Sequence, residues 1–222
     1  MMTRKSILSG TYLQSFVSCL SEVLWTQEKI DLSLSEALKS RPAGGEVWLF
    51  GYGSLIWNPL FEYDAREVAT LHGWHRSFCL RVIVGRGSPE APGRMLSLEP
   101  GGSTRGVALR LPEANLDEEL RIVWTREMVT GAYTPMWADV TLASGRSIKA
   151  LAFVADPAHV FYESNVHASH IAPFMAAASG SMGSNVDYVR RLQSALLNCD
   201  IKDPYIDQLA NELDRLSAST ST

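Results

Sequence analysis

Cysteine is scarce: Cys19, Cys79 and Cys199 stand far apart in a chain of 222 residues. An odd count with no CxxC and no adjacent histidine fits neither a disulfide framework nor a thiol nucleophile, and a reducing compartment is expected. No window holds about 18 uninterrupted apolar residues, so no membrane span is expected. The basic start Met1–Lys5 is followed by Ser9, Gly10, Gln14, Ser15 and Ser18. These break up any apolar core of a signal peptide. Long runs of one charge are absent and the net charge is −4, which argues against nucleic acid or an anionic membrane as the main partner. The nucleotide fingerprint GxGxxG is missing, because Gly51 and Gly53 are followed by Ile56. A nucleophile elbow GxSxG is missing too, since it would need a serine at position 53 and a glycine at position 55. His72 with His75, and His167 with His170 near Glu163, have spacing that can suggest a metal. Neither pair completes an HExxH or a full ligand set, so no metal site is expected.

What is present is ordinary globular material, 46% hydrophobic and 20% charged, enough for one domain with additions. Leu13, Phe16, Val17, Leu20 and Leu24 share one face of an expected amphipathic helix over 11–25, with a short helix over 33–38. Arg41–Gly45 reads as a linker, so residues 1–45 form an N-terminal helical extension without chemistry of its own, and residues 46–222 form the main domain. Within that domain the apolar run Val47–Phe50 predicts a buried strand. Residues 67–84 are rich in strand formers. Met95–Leu98 and Gly106–Leu111 read as two strands joined across Pro100–Ser103, and two more are expected near 136–142 and 147–154 about the turn Ser144–Arg146. Asn115 is placed to cap a helix to about Glu127. Ser184 with Asp187 opens a further helix to about Asn198, and Asp203-Pro204 opens a last one. Several short strands, one inserted helix and trailing helices predict an α+β fold with a partly open barrel.

Two places carry candidate chemistry. Phe50-Gly51-Tyr52-Gly53-Ser54-Leu55 follows a buried strand directly. Its glycines suit positive φ or close approach of a ligand, and turned amides make a nest for a carboxylate or an oxyanion. Glu127 stands where the inserted helix should end, among Trp124, Met128, Val129 and Tyr133. Apolar surroundings raise a carboxyl pKa and equip it to shuttle protons near neutral pH. Arg126, adjacent in the helix, is expected to point elsewhere.

Four segments together, FGYGSLIW (50–57), RGSPEAPGR (86–94), TREMVTGAY (125–133) and AAASGSMGSNVDYV (176–189), resemble in order the ChaC family of γ-glutamylcyclotransferases, most closely its bacterial branch. The resemblance implies a small distorted β-barrel with flanking helices. It implies action on glutathione as a small-molecule substrate, releasing 5-oxoproline and cysteinylglycine by intramolecular aminolysis. No metal or organic cofactor goes with it, and the composition adds the expectation of no nucleic acid, no membrane and a cytoplasmic location. Carried over by motif, the substrate-binding stretch falls on Leu49, Phe50, Gly51, Tyr52, Gly53 and Ser54, and the catalytic acid/base on Glu127. Arg94, Tyr133 and Tyr188 are further substrate-binding candidates, Arg94 through bidentate binding of a carboxylate. Eukaryotic members tend to have lysine where Met128 stands. Two alternatives remain open from the residues: an acyl hydrolase using Ser54 as nucleophile, and a non-catalytic γ-glutamyl-binding regulator.

Overall fold

The computed structural model describes residues 2–43 and 45–219; Gly44 of the expected linker lies outside the described residues, as do the first residue and the last three. The chain forms two compact units, one comprising Met1–His75 and Glu99–Asp156, the other Arg76–Leu98 and Pro157–Thr222. Two of the three boundaries fall inside long strands, and the third follows Asp156.

Five strands close a barrel: β1 (Trp48–Gly51), β2 (Ala65–Val82), β3 (Gly93–Arg110), β4 (Tyr133–Leu142) and β5 (Ser147–Ala155), in the order β1-β3-β2-β4-β5. The partly open barrel expected from the sequence is therefore closed, which leaves no exposed edge to the ladder. β1 is short because it is central: Leu49 pairs antiparallel with Leu109 and parallel with Leu151. A strand flanked on both sides and covered on both faces reads as a continuous apolar run, as Val47–Phe50 does. β4 and β5 form a hairpin whose turn has Gly145 at φ +84°, with its N–H donating to the Leu142 carbonyl at 2.8 Å. The two strands expected on either side of Pro100–Ser103 are one strand. Gly101 and Gly102 take φ of +114° and +66°, yet they kink the chain instead of reversing it. Thr104 Oγ1 donates to the Trp74 carbonyl at 2.8 Å, and His75 Nδ1 lies 3.3 Å from the Gly101 carbonyl, holding the segment against β2.

In the first unit the extension folds as α1 (Arg4–Leu8), α2 (Thr11–Gln14), α3 (Val17–Leu20) and α4 (Gln27–Lys39). The single helix expected over 11–25 is thus broken. Ser15 Oγ donates to the Tyr12 carbonyl at 2.6 Å, the local bond by which serine competes with helix continuation. Leu13, Phe16 and Leu20 are buried as their spacing predicts, whereas Val17 is 54% exposed. Thr26 Oγ1 caps α4 by accepting from the Lys29 N–H, so that helix starts earlier than the apolar pattern alone places it. α5 (Leu116–Glu127) follows Asn115, which occupies the cap position without a side-chain bond. Trp124 of α5 packs edge-on against Phe153 of β5, ring centres 5.2 Å apart, both without appreciable exposure. Burying side chains of this size contributes about 1.5–3 kcal/mol each, and this fixes α5 on the barrel.

The second unit contains α6 (Ala168–Ala177), α7 (Asn185–Leu197) and α8 (Pro204–Ser219). Both helix starts read from the sequence form: Ser184 Oγ accepts from the Asp187 N–H at 3.0 Å, and Asp203 Oδ1 accepts from the Tyr205 and Ile206 N–H groups. Ile171, Met175, Val189, Leu192, Leu209 and Leu213 are buried from these helices. Among the described residues, no helix is long and apolar enough to cross a membrane.

Candidate active site

β1 runs straight into the candidate loop. Gly51 still pairs with Val107. A Cβ on Gly51 would stand 3.2 Å from both Leu55 Cβ and Val107 Cγ2, and one on Gly106 would stand 2.4 Å from the Gly51 carbonyl oxygen. Positive φ is not the reason for glycine at 51; a Cβ there would make Leu55 and Val107 give way by a few tenths of an ångström. Gly53 likewise has negative φ, at −129°. The chain then makes a single 3-10 turn over Ser54–Ile56, closed by Ile56 N–H to the Gly53 carbonyl at 3.0 Å and Asn58 N–H to the Ser54 carbonyl at 2.9 Å. Among the described residues, the amides of Gly53, Ser54 and Leu55 have no backbone carbonyl partner. Consecutive unsatisfied amides at the start of a turn form an anion-binding concavity. Leu49 and Phe50 are fully buried, so their side chains anchor the loop in the core. Tyr52 is buried as well, and its hydroxyl donates to the Phe153 carbonyl at 2.7 Å.

Glu127 ends α5 and keeps 16% of its side-chain surface open. Arg126 does not point away, contrary to the expectation from helix geometry. Its Nε lies 2.9 Å from Glu127 Oε1, its Nη2 donates to Ser54 Oγ at 2.7 Å, and its Nη1 donates to the carbonyls of Asn58 and, at 3.0 Å, Pro59. Glu127 is the last residue of the helix, where the regular angular offset between neighbours no longer governs the two side chains. One guanidinium therefore ties the loop after β1 to the acid at the end of α5. Enclosure raises the Glu127 carboxyl above the ordinary glutamate range, and this outweighs the charge of Arg126 and its hydrogen bond, which act in the opposite direction. Tyr12, from α2, is 7% exposed, and the charges of Arg126 and Glu127 both act on its phenol. Neither Arg126 nor Tyr12 was singled out from the sequence as a site residue. An arginine next to a proposed buried acid was the available signal for the first; nothing in the local pattern marks the second.

Tyr133 opens β4, paired with Ala155 in the same unit. Arg94 and Tyr188 belong to the second unit. Arg94 is anchored by its main chain: Asn185 Oδ1 accepts from its N–H at 2.7 Å and Asn185 Nδ2 donates to its carbonyl at 2.9 Å. Its guanidinium stacks over Phe174 at 5.4 Å and stands 3.8 Å from Glu163. Its Nε has no partner among the described residues. Burial pushes the Arg94 pKa down, Glu163 opposing and Arg81 adding to the shift. Tyr188 is 5% exposed and meets Phe78 edge-on. His72 bonds Thr141, and among the described residues no three His, Cys, Asp or Glu side chains lie together as a metal site.

A closed five-stranded barrel with flanking helices is the fold shared with solved γ-glutamylcyclotransferases. The family model described as ChaC-like protein matches residues 47–216, and the chain belongs to this family. It is 44% identical over 218 residues to the glutathione-specific gamma-glutamylcyclotransferase of Escherichia coli strain K12, covering 98% of this chain and 94% of the relative. Glutathione-specific gamma-glutamylcyclotransferase 1 of Danio rerio is 32% identical over 72% of this chain and 85% of its own length. Among solved structures, a glutathione-specific cyclotransferase from yeast superposes with a TM-score of 0.71 at 23% identity, covering 78% of this chain and 97% of that one.

Proposed function

We propose that this chain cleaves glutathione to 5-oxoproline and cysteinylglycine, with Glu127 as general acid/base and the loop Leu49–Ser54 as the grip on the γ-glutamyl group. The observation that carries this is the guanidinium of Arg126, which joins Ser54 in the loop to Glu127 and so holds a proton carrier beside an anion nest. The names of the relatives support the choice of glutathione.

The substrate's α-amine attacks its own γ-carbonyl, a five-membered lactam forms, and the peptide amine departs. Overall, two protons leave the α-ammonium nitrogen and two arrive on the departing nitrogen, leaving Glu127 as it began. Its carboxylate takes the first proton from the ammonium, whose pKa is about 8. It then protonates the leaving nitrogen. An ordinary glutamate is too strong an acid to hold that proton near neutrality, and the raised carboxyl of Glu127 suits both steps. Loop amides bind the α-carboxylate and curl the glutamyl chain. Such positioning is a large part of the rate, since well-oriented intramolecular attack reaches about 10⁵–10⁸ M effective molarity, or about 7–11 kcal/mol. The amides of Gly53, Ser54 and Leu55 are also the donors available to the developing oxyanion. Tyr133, in the same unit as the loop and Glu127, remains a candidate for the rest of the substrate. We place the enzyme in the cytoplasm, as the absence of disulfides among its three cysteines favours.

Ser54 as an acyl nucleophile is disfavoured by its partner. Its hydroxyl accepts from Arg126, a group that cannot serve as a base. Incubation of the purified protein with a panel of γ-glutamyl peptides and amines, measuring 5-oxoproline and the released amine, tests the proposal. Stoichiometric 5-oxoproline from glutathione supports it, while no product from any member removes it, and a covalent acyl intermediate would restore Ser54.

A further inference from the structure

Residues 1–45 were expected to be an appendage without chemistry, but their contacts run along α5 and the turn beyond it. At the start of α5, Arg4 grips Glu119 with Nη1–Oε2 at 2.6 Å and Nη2–Oε1 at 2.8 Å. Glu119 has no exposed surface, and its Oε2 also accepts from the Glu62 N–H at 2.9 Å. In the last turns, Trp124 Nε1 donates to Ser33 Oγ of α4 at 3.4 Å. Two residues past Glu127, the Val129 carbonyl accepts from the Trp25 N–H at 2.8 Å. Gly131 then lies against the Trp25 indole so tightly that a Cβ there would stand 2.1 Å from Cζ2. Beyond this turn, Trp137 Nε1 donates to the Ala37 carbonyl at 3.0 Å. Tyr12 is buried with its ring edge-on to Phe16, and no described residue accepts a hydrogen bond from its hydroxyl.

These contacts are not spread evenly over the barrel. They concentrate on the one helix that ends in the proposed acid, and on the turn that fixes where that helix ends. We propose that the N-terminal segment is a strap that holds Glu127 in water-poor surroundings, with Trp25 and Tyr12 as its positioning residues, so that the extension is a working part of the acid/base site. This rests on the assignment of Glu127 as the proton carrier. Arg126 on α5 acts on Glu127, and the charges of both act on Tyr12 of α2. Lys29 of α4 stacks over the Trp25 ring at 4.2 Å, and Arg4 with Glu118 and Glu119 occupies the opposite end of α5. Enclosure raises the Glu127 carboxyl and Arg126 lowers it. Loosening the strap while Arg126 stays in place therefore lets water in and lowers the carboxyl's pKa. In the free enzyme, where Glu127 must be ionised to act as base, the acidic limb of the kcat/KM profile then moves to lower pH.

The test is a pH profile of 5-oxoproline release for the full-length wild type and Trp25→Ala, with Trp25→Phe as the conservative variant. Trp25→Ala is expected to shift the acidic limb to lower pH. Its kcat should fall roughly tenfold with KM within about threefold, because a weaker base that seldom holds its proton near neutrality slows the chemical step and leaves binding alone. Trp25→Phe should recover most of both. Should Trp25→Ala not fold, Trp25→Leu, which keeps an apolar side chain over Gly131, decides on the same signature, and Tyr12→Phe provides a second readout. Folded variants whose acidic limb stays at the wild-type position, with only the melting temperature lowered, overturn the strap. A wild type that releases no 5-oxoproline, or a Glu127→Gln protein that remains active, would instead remove the assignment beneath it.

Discussion

Gly131 and Gly145 offer a matched pair for testing how Trp25 is seated. Both have left-handed backbones, with φ of +72° and +84°. They differ in what stands over them. Nothing lies within 4 Å of a Cβ placed on Gly145, whereas one on Gly131 would overlap the Trp25 indole, 2.1 Å from Cζ2 and 2.2 Å from Cε2. An L-residue in this conformation costs about 1–2 kcal/mol, and that is the whole expected loss for Gly145→Ala. Gly131→Ala must also displace the ring. A tryptophan buries about 150–250 Å²; Trp25 is half-buried, so about 100 Å² leaves contact, or about 2.5 kcal/mol at about 25 cal/mol per Å². The total approaches about 4 kcal/mol. At about 2–4 °C per kcal/mol for a chain of this size, thermal unfolding should shift down by about 8–16 °C in Gly131→Ala and by about 2–8 °C in Gly145→Ala. Equal losses in the two variants would show that Trp25 is not pressed onto the turn after Glu127, and the reasoning would fail.

Arg126→Met removes the charge and hydrogen bond that oppose enclosure at the Glu127 carboxyl, so the acidic limb of kcat/KM should move to higher pH, opposite in sign to Trp25→Ala; a shift to lower pH would contradict the balance of enclosure against charge. Glu127→Gln removes a carboxyl whose folded pKa is raised. Such a group favours the folded state below its unfolded pKa and loses that contribution as pH rises through the folded value. The melting temperature of Glu127→Gln relative to wild type should therefore climb with pH across that window, and a flat difference would refute the raised carboxyl. In the second unit, Asn185→Ala strips partners from both the N–H and the carbonyl of Arg94 at a site with no exposure. Denaturant unfolding should show a loss of about 2–4 kcal/mol; under about 1 kcal/mol would mean that water replaces the amide freely.

The barrel strands were legible where burial and turn chemistry agree. Val47–Phe50 announced a central strand because both of its faces are covered, and Ser144–Arg146 announced a hairpin because a glycine sits where φ must be positive. Pro100–Ser103 carries the same turn residues, yet the chain runs on, since glycine permits a kink as readily as a reversal and tertiary pairing with β2 decides between them. The broken helix over 11–25 has a similar cause: apolar spacing counts buried residues correctly but does not see a serine hydroxyl diverting the Tyr12 carbonyl. At the site, Glu127 was visible through its apolar neighbours. The glycine loop was visible too, although crowding by Leu55 and Val107 explains Gly51 better than backbone handedness does. Arg126 was misjudged because a rule for helix interiors was applied to a helix end. Tyr12 and Trp25 were out of reach, because their relation to Glu127 comes from contacts across about a hundred residues of chain, which no local period records.

The central claim is that Glu127 moves the proton while the loop after β1 holds the substrate. Purified Glu127→Gln, given glutathione and assayed in parallel for 5-oxoproline release and for glutathione binding by calorimetry, tests it most directly. Turnover should be abolished while binding is largely retained. Turnover within a few-fold of wild type would contradict it.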